Sequence, residues 1–502
     1  MRTLNLLACV VSVGIASSTA SAEVVNVSPG DDLLAALRGL EAGDELILAA
    51  GTYDTGGAFW EVTLSGTEAE PILVRSEDGA RAVIAGTPAQ NVINLEGSNF
   101  EFRSLEIRGG SHGLRLGMSV QNAVFDDLRI HDVADVALSC NRPGSRCENI
   151  TIRRCEFWNT GAGGGGPGEG LYLGCNGDGC QFIDSTIENN YIHDTTQGSQ
   201  GDGIDLKPGS YGNVIRNNVF YNTRQPGILI SSFPAGGGRE PNLVEGNLVV
   251  MAMDNGIQMV GQATVRNNIV IGASASGISS KPDPLGTPFE AIVVHNTVVD
   301  ADGACFRGNE WDAGSGNVVA NNAFYCPGGE SLRFPAGTGS AQLLGNVVLG
   351  STTGATTGFT DGASVAADLG DPAALVVYPP VGSALVNAGD SSVGVTLDFN
   401  ELARDAMPDV GAYEHLGNEN PGWPLAMDFK GMAAAGTDAG PGLDAGAARD
   451  AGAAADAGGR DAGSTRVDAG EGESGGGGCR AAGGGSYAVL MLLALAMRRR
   501  RR

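Results

Sequence analysis

The run GDGIDLK at 201–207 places two acids and a lysine where they could do chemistry together. In an extended strand alternate residues face the same way, so Asp205 and Lys207 leave one face, with Asp202 just ahead of them. Glu169 occupies the matching position one repeat earlier. Three carboxylates stacked on neighbouring strands repel one another, and a cation would relieve them. Their hard oxygens suit calcium, with Glu169, Asp202 and Asp205 as ligands. Lys207 could serve as a base if a nearby cation or desolvation lowered its pKa. Base and cation together are what proton abstraction beside a carboxylate requires. The plainer reading is a solvated lysine next to an Asp-Gly turn.

The neighbouring repeats supply candidate binding residues. The strands HGLRL, DVALS, EGLYLG, DGIDLK, PGILIS, NGIQMV, SGISSK and GACFR align, which turns Leu114, Leu171, Ile204, Ile228, Ile257 and Ile278 inward. One outward line then holds Arg115, Leu138, Tyr172, Asp205, Leu229, Gln258 and Ser279. A second holds Lys207, Ser231, Val260, Lys281 and Arg307, and a third His112, Asp135, Glu169, Asp202 and Asn255. Arg115, Tyr172, Gln258, Lys281 and Arg307 are the expected substrate contacts. Tyr172, Tyr211, Phe233 and Trp311 offer aromatic surfaces for stacking.

What must position these residues is a repeat. Short β-rich runs flank an asparagine at 190, 218, 247, 268, 296, 322 and 346, spaced 21 to 29 residues apart. The same frame puts Cys155, Asp127 and Ser104 upstream, giving about ten rungs. Such a period, rich in Val, Ile, Asn and Gly, predicts an all-β, single-stranded right-handed parallel β-helix. The asparagines would hydrogen-bond along the stack at an inward turn, a structural role. Residues 31–53 predict a helix and strand that cap the open end. The run GAGGGGPGEG at 161–170 reads as a flexible insertion, and no strand–Gly–Lys–helix context makes it a phosphate cradle.

The cysteines between the chain ends number seven. Cys140 and Cys175, like Cys147 and Cys180, fall one rung apart, compatible with inter-rung bridges. Local pairs Cys140–Cys147 and Cys175–Cys180 compete, and spacing does not choose between them. Cys305 and Cys326 make a third pair, and Cys155 is expected as a buried free thiol.

Both ends read as addresses. An apolar run from Leu4 to Ile15 followed by Ala20-Ser21-Ala22 predicts a signal peptide over 1–22. The β-helix is expected over 23–416. Beyond it, Asp-Ala-Gly recurs from Asp438 to Asp468, which predicts a disordered acidic stalk over 417–478. The segment 479–502 carries Cys479, a short apolar stretch and five terminal arginines, an expected membrane anchor. The formal net charge of −26 excludes a basic nucleic-acid stripe. A monomer is expected, exported to the bacterial cell surface.

The repeat, its cap and the closing segments GSALVNAGD (382–390) and DVGAYE (409–414) resemble the pectate-lyase-like β-helix superfamily over about 31–416. Asp-Gly-x-x-x-Lys followed by Gly-Asn-x-x-Arg-Asn is similar to the base-bearing rung of family 9 pectate lyases. A lysine ahead of Asn-x-x-Arg-Asn-Asn is also similar to the chondroitinase B and alginate lyase family. These resemblances imply Lys207 as base and Asp202, Asp205 and Glu169 as calcium ligands, acting on a uronate polysaccharide by β-elimination. Two departures stand against them: PGILISS lacks the arginine of the second family and the downstream acidic pair of the first. The tail resembles the C-terminal sorting signal of myxobacterial surface proteins, which implies processing and attachment through Cys479, with lipid as one route. A calcium-assisted lyase and a non-enzymatic carbohydrate-binding or adhesive protein both remain open, as does a structural spacer.

Overall fold

The computed structural model describes residues 22–232, 239–282 and 287–431. The expected signal peptide up to residue 21, Phe233, the chain after Gly431 and Cys479 lie outside the described residues. Among the described residues 36 strands join one continuous parallel sheet, which coils into a right-handed β-helix with three faces.

The rungs stack in register. On the first face Leu114 partners Leu138, which partners Leu171, Ile204, Ile228, Ile257 and Ile278 in turn, and all are fully enclosed. This column, continued by Phe306 on Ile278, fills the interior together with Phe100, Phe102, Phe125 and Phe324 from other faces. Burial is the driving term, at about 25 cal/mol per Å² of apolar surface. The ladder also extends upstream of the expected rungs, through Val24–Val27, Glu45–Leu48 and Ile72–Ser76. Helix Leu33–Arg38 covers the open end, capped by Asp32 accepting from the amide of Ala35 and burying Leu33 and Leu37.

The asparagines stack as the spacing predicts. Nδ2 of Asn190, Asn218, Asn247, Asn268, Asn296 and Asn322 each donates to Oδ1 of the next, at 2.9–3.0 Å. The backbone amide of Cys155 donates to Asn190 Oδ1, so the thiol stands where the ladder begins. A shorter ladder runs beside it from Asn213 to Asn242. Both satisfy backbone groups at turns that would otherwise be buried without partners.

The third face is apolar on its outside as well. Val219, Leu248, Ile269, Val299, Ala323 and Val347 form a second core with Leu369, Val377, Leu385, Phe399 and Tyr413. Residues 365–431 thus run along this face as a strap, and Ala412 donates its amide to Thr297 Oγ1. The strap continues past the boundary expected at 416. Trp423, Leu425 and Phe429 pack on it, and Lys430 is buried.

The disulfides are Cys140–Cys147, Cys175–Cys180 and Cys305–Cys326, the local pairing for the first four cysteines, and Cys155 is free and buried. Such bridges are consistent with an extracellular protein. No helix among the described residues is long and apolar enough to cross a membrane.

Candidate functional site

The strands Leu171–Leu173 and Ile204–Leu206 pair in parallel, with Leu171 on Ile204 inside and Tyr172 on Asp205 outside. Glu169 and Asp202 precede these strands at equivalent positions, where the chain turns onto the face. One oxygen each from Glu169, Asp202 and Asp205 lies within 4.8 Å of the others. All three acids are enclosed, at 0%, 3% and 0% exposure. Among the described residues, both carboxylate oxygens of Glu169, and Oδ1 of Asp202, have no hydrogen-bond partner.

Lys207 closes the cluster. Its Nζ lies 2.6 Å from Asp205 Oδ2 and 4.7 Å from the centre of the Tyr172 ring. Gly174 backs it: a β-carbon there would stand 2.9 Å from Lys207 Cβ, and its φ of +99° suits glycine. Burial, then the charges of Asp202 and Asp205, holds the Glu169 carboxyl well above the usual range. Burial and Asp205 do the same to Asp202. Burial also raises Asp205, against the pull of Lys207. Burial alone would lower Lys207, but Asp205, Tyr172 and Asp202 outweigh it and hold its pKa above the ordinary lysine value. Burial pushes the Tyr172 hydroxyl up to about 12.

One ammonium therefore faces three enclosed carboxylates. Buried charge without a partner is costly, so the triad must take up protons or a further cation. Orphaned oxygens on a purely hard donor set fit a divalent ion held by oxygen.

The remaining expected contacts are spread along the same face. Arg115 lies two rungs before Asp205's neighbour Tyr172, its Nε donating to Asn141 Oδ1 at 3.0 Å. Between them stands Ser139, where Leu138 was expected; Leu138 points inward. Ser139 Oγ is 3.0 Å from His112 Nδ1, whose ring reaches Asp135 at 3.4 Å through Nε2. Downstream, Gln258 accepts from Asn255 Nδ2 at 3.0 Å. Arg307 partners Ser279, so it belongs to the line of Tyr172 and Asp205 rather than that of Lys281. Trp311 is no stacking surface: it is fully buried against Phe306 and Phe334, and its Nε1 donates to Ser280 Oγ. Arg239 lies over the Tyr211 ring, 4.2 Å from its centre. The GAGGGGPGEG run is a bonded loop, accepting the amides of Ser199 and Gln200 at Gly166 and Pro167. Toward the N-terminus of this face lies a cleft of about 580 Å³ lined by Glu61, Asn94, Glu96, Ser119, Gln121 and Arg142.

Sequence reasoning missed Arg333, which partners Arg307 on the next rung. Carrying the strand alignment one repeat past GACFR, to ESLRF, finds it.

The fold defines the class, a right-handed parallel β-helix. The family model "right handed beta helix region" matches residues 91–280. No curated protein matches the chain in sequence. Among solved structures it is similar to an alginate lyase from Paenibacillus sp. str. FPU-7, at 17% identity and TM-score 0.44, covering 66% of this chain and 99% of that one. It is also similar to pectate lyase Pel9A, at 16% and 0.44, covering 79% and 97%. A third is the A-module of the mannuronan C-5 epimerase AlgE6 of Azotobacter vinelandii, at 15% and 0.40, covering 64% and 91%. The likeness is distant and concerns the fold.

Proposed function

We propose that this β-helix binds an acidic polysaccharide along its first face and cleaves it by calcium-assisted β-elimination at Lys207. The observation that carries the reading is the enclosed Glu169–Asp202–Asp205 triad with orphaned oxygens, set beside a lysine and an aromatic ring. A calcium ion held by those three acids would supply positive charge to neutralise a uronate carboxylate and acidify its α-proton. Lys207, after releasing Asp205 Oδ2 and losing its extra proton to solvent, would take the α-proton on Nζ. The bond from the β-carbon to the glycosidic oxygen would break to leave a C=C bond, and the departing oxygen would take up a proton from solvent. Tyr172 lies over the lysine and limits water around it. Its ring can lie against the sugar.

A second reading, non-enzymatic binding, is favoured by one observation. Lys207 is held as an ammonium by Asp205 at 2.6 Å, and a group so held is a poor base. One experiment separates the two. The purified chain is mixed with pectate, alginate or chondroitin, with calcium or with chelator, and ultraviolet absorbance is followed for the conjugated double bond. A calcium-dependent rise lost in Lys207→Ala supports elimination. A flat trace on all three, with retention on the immobilised glycans, supports binding alone.

A further inference from the structure

Several arginines on the outside of this β-helix are neutralised by an acid on a neighbouring strand. Arg216 pairs with Glu188, Arg266 with Glu245, and Arg153 with Asp126, each across one rung. This is how cross-strand charges are ordinarily arranged, since like charges directly opposite are destabilising. The end of the first face breaks the pattern. Arg307 and Arg333 are direct partners on adjacent rungs, both on the outer side. Among the described residues Arg307 Nε donates to the neutral Asn309 Oδ1, at 3.0 Å, and no acid pairs with it. Arg333 has Glu330 at 3.0 Å, and that acid is shared with Thr353. Lys281, in the adjoining outward line one rung earlier, makes no ion pair among the described residues.

A protein with a formal net charge of −26 thus gathers three cations around one acid on the face that carries the acidic triad. Two partly exposed guanidiniums one rung apart can share an anion, and Arg binds carboxylate and sulfate bidentately. The line from Asp205 reaches Arg307 through Leu229, Gln258 and Ser279. Four steps of about 4.8 Å put Arg307 about 19 Å from Asp205 along the helix axis, with Arg333 one step further.

We infer that Arg307, Arg333 and Lys281 form a distal anion subsite for acid groups of a glycan chain lying along the helix axis, several sugars from the triad. The uncharged floor between the two ends, Leu229, Gln258 and Ser279, accommodates the intervening rings. The inference shares its face with the proposed function but concerns binding alone, so each can fail without the other.

The test is binding of the purified full chain to uronate oligomers, trimer against decamer, with dextran sulfate and neutral dextran as further probes. The wild type is expected to bind the decamer at least about tenfold more tightly than the trimer, an advantage that shrinks as salt is raised. Arg307→Gln/Arg333→Gln should remove most of that advantage, and Arg333→Gln alone, at a half-exposed position, part of it. Arg216→Gln, on another face, should leave it unchanged. Loss on uronates alone assigns the subsite to carboxylates; loss on dextran sulfate as well assigns it to acid groups in general. Unchanged decamer binding by the double variant overturns the inference, and so does wild-type binding to neutral dextran as strong as to the decamer, or no binding at all. Lys207→Ala, run alongside, loses elimination but retains the length dependence. That outcome separates this subsite from the proposed chemistry.

Discussion

Lys207 Nζ and Asp205 Oδ2 stand 2.6 Å apart in an enclosed cluster, so the one ammonium that the described residues place there is committed to one of three carboxylates. Removing it leaves the acids with no counter-charge. Breaking a buried ion pair from one side costs about 3–5 kcal/mol, and Lys207→Ala is expected to lose about that much stability in chelator. Denaturant midpoints measure it. A loss below about 1 kcal/mol would mean that the acids are already protonated at neutral pH.

Cation binding should show in stability before it shows in turnover. A ligand that binds only the folded state at a hundred times its Kd stabilises by about 2.7 kcal/mol. Calcium is therefore expected to raise the melting midpoint saturably, with chelation reversing the shift. Glu169→Gln/Asp202→Asn should abolish the response and, by relieving repulsion, raise the metal-free midpoint. The same calcium response in the double variant would remove the triad as the ligand set.

The asparagine ladder supports the turns around the site and should be costly to interrupt. Asn268 Nδ2 shares its two N–H groups among Val244 O, Arg266 O and Asn296 Oδ1, while its Oδ1 accepts from the amide and side chain of Asn247. Asn268→Ala leaves several of these enclosed groups unpaired, an expected loss of about 3 kcal/mol or more. Asn149 makes a similar rung-to-rung bond to Asn122, but in solvent. Asn149→Ala should cost about 1 kcal/mol. Urea unfolding of both variants checks the contrast.

Two histidines should give stability opposite dependences on pH. Burial lowers His193, but Glu156 and Asp194 outweigh it, so its folded pKa lies above 6.5. Its contribution is fully present below about pH 6.5 and is lost as pH rises through the folded value. His295 is held well below 6.5 by burial and by Arg404. Its contribution is present above about pH 6.5 and is lost as pH falls toward the folded value. The penalty of His193→Gln should therefore be larger at pH 5 than at pH 8, and that of His295→Gln larger at pH 8. Unfolding curves at the two pH values decide it.

The interior and the acid cluster were legible because repeats write the same constraint many times. An asparagine recurring beside β-rich runs fixed the turn, and inward Leu and Ile fixed the first face. Where a strand is buried on both sides the alternation disappears. In Leu138–Cys140 every residue is enclosed, and the one-residue slip that put Leu138 outward exchanged it for Ser139. The same double burial on the third face signals a cover, but no local pattern says which segment supplies it. Arg307 was assigned to the wrong line because GACFR has no Leu or Ile to mark the inward position, which Phe306 fills on Ile278. Disulfide pairing stayed open because rung neighbours and loop neighbours lie at similar distances.

That cover yields the last prediction. Lys430 Nζ donates to Asn217 Oδ1, Gly246 O and Phe399 O at 2.7–3.0 Å, and sits 3.6 Å from the centre of the Phe399 ring. Three acceptors need three N–H groups, which only the ammonium has. Burial nonetheless pushes its pKa down to about 7, so its hold should be sensitive to what surrounds it. The residue ties the end of the strap to two turns, at Asn217 on the same coil as Asp205 and at Gly246 on the next. A chain ending at Leu416 loses this tie together with Trp423, Leu425 and Phe429, and uncovers Phe399 and Tyr191. It should melt several degrees below a chain ending at Gly431 and bind a hydrophobic dye. Lys430→Met keeps the apolar contacts but leaves three acceptors unpaired, at an expected cost of about 2 kcal/mol. If the two truncations melt together, the packed domain ends at 416 after all, and 417–431 contributes contacts without stability.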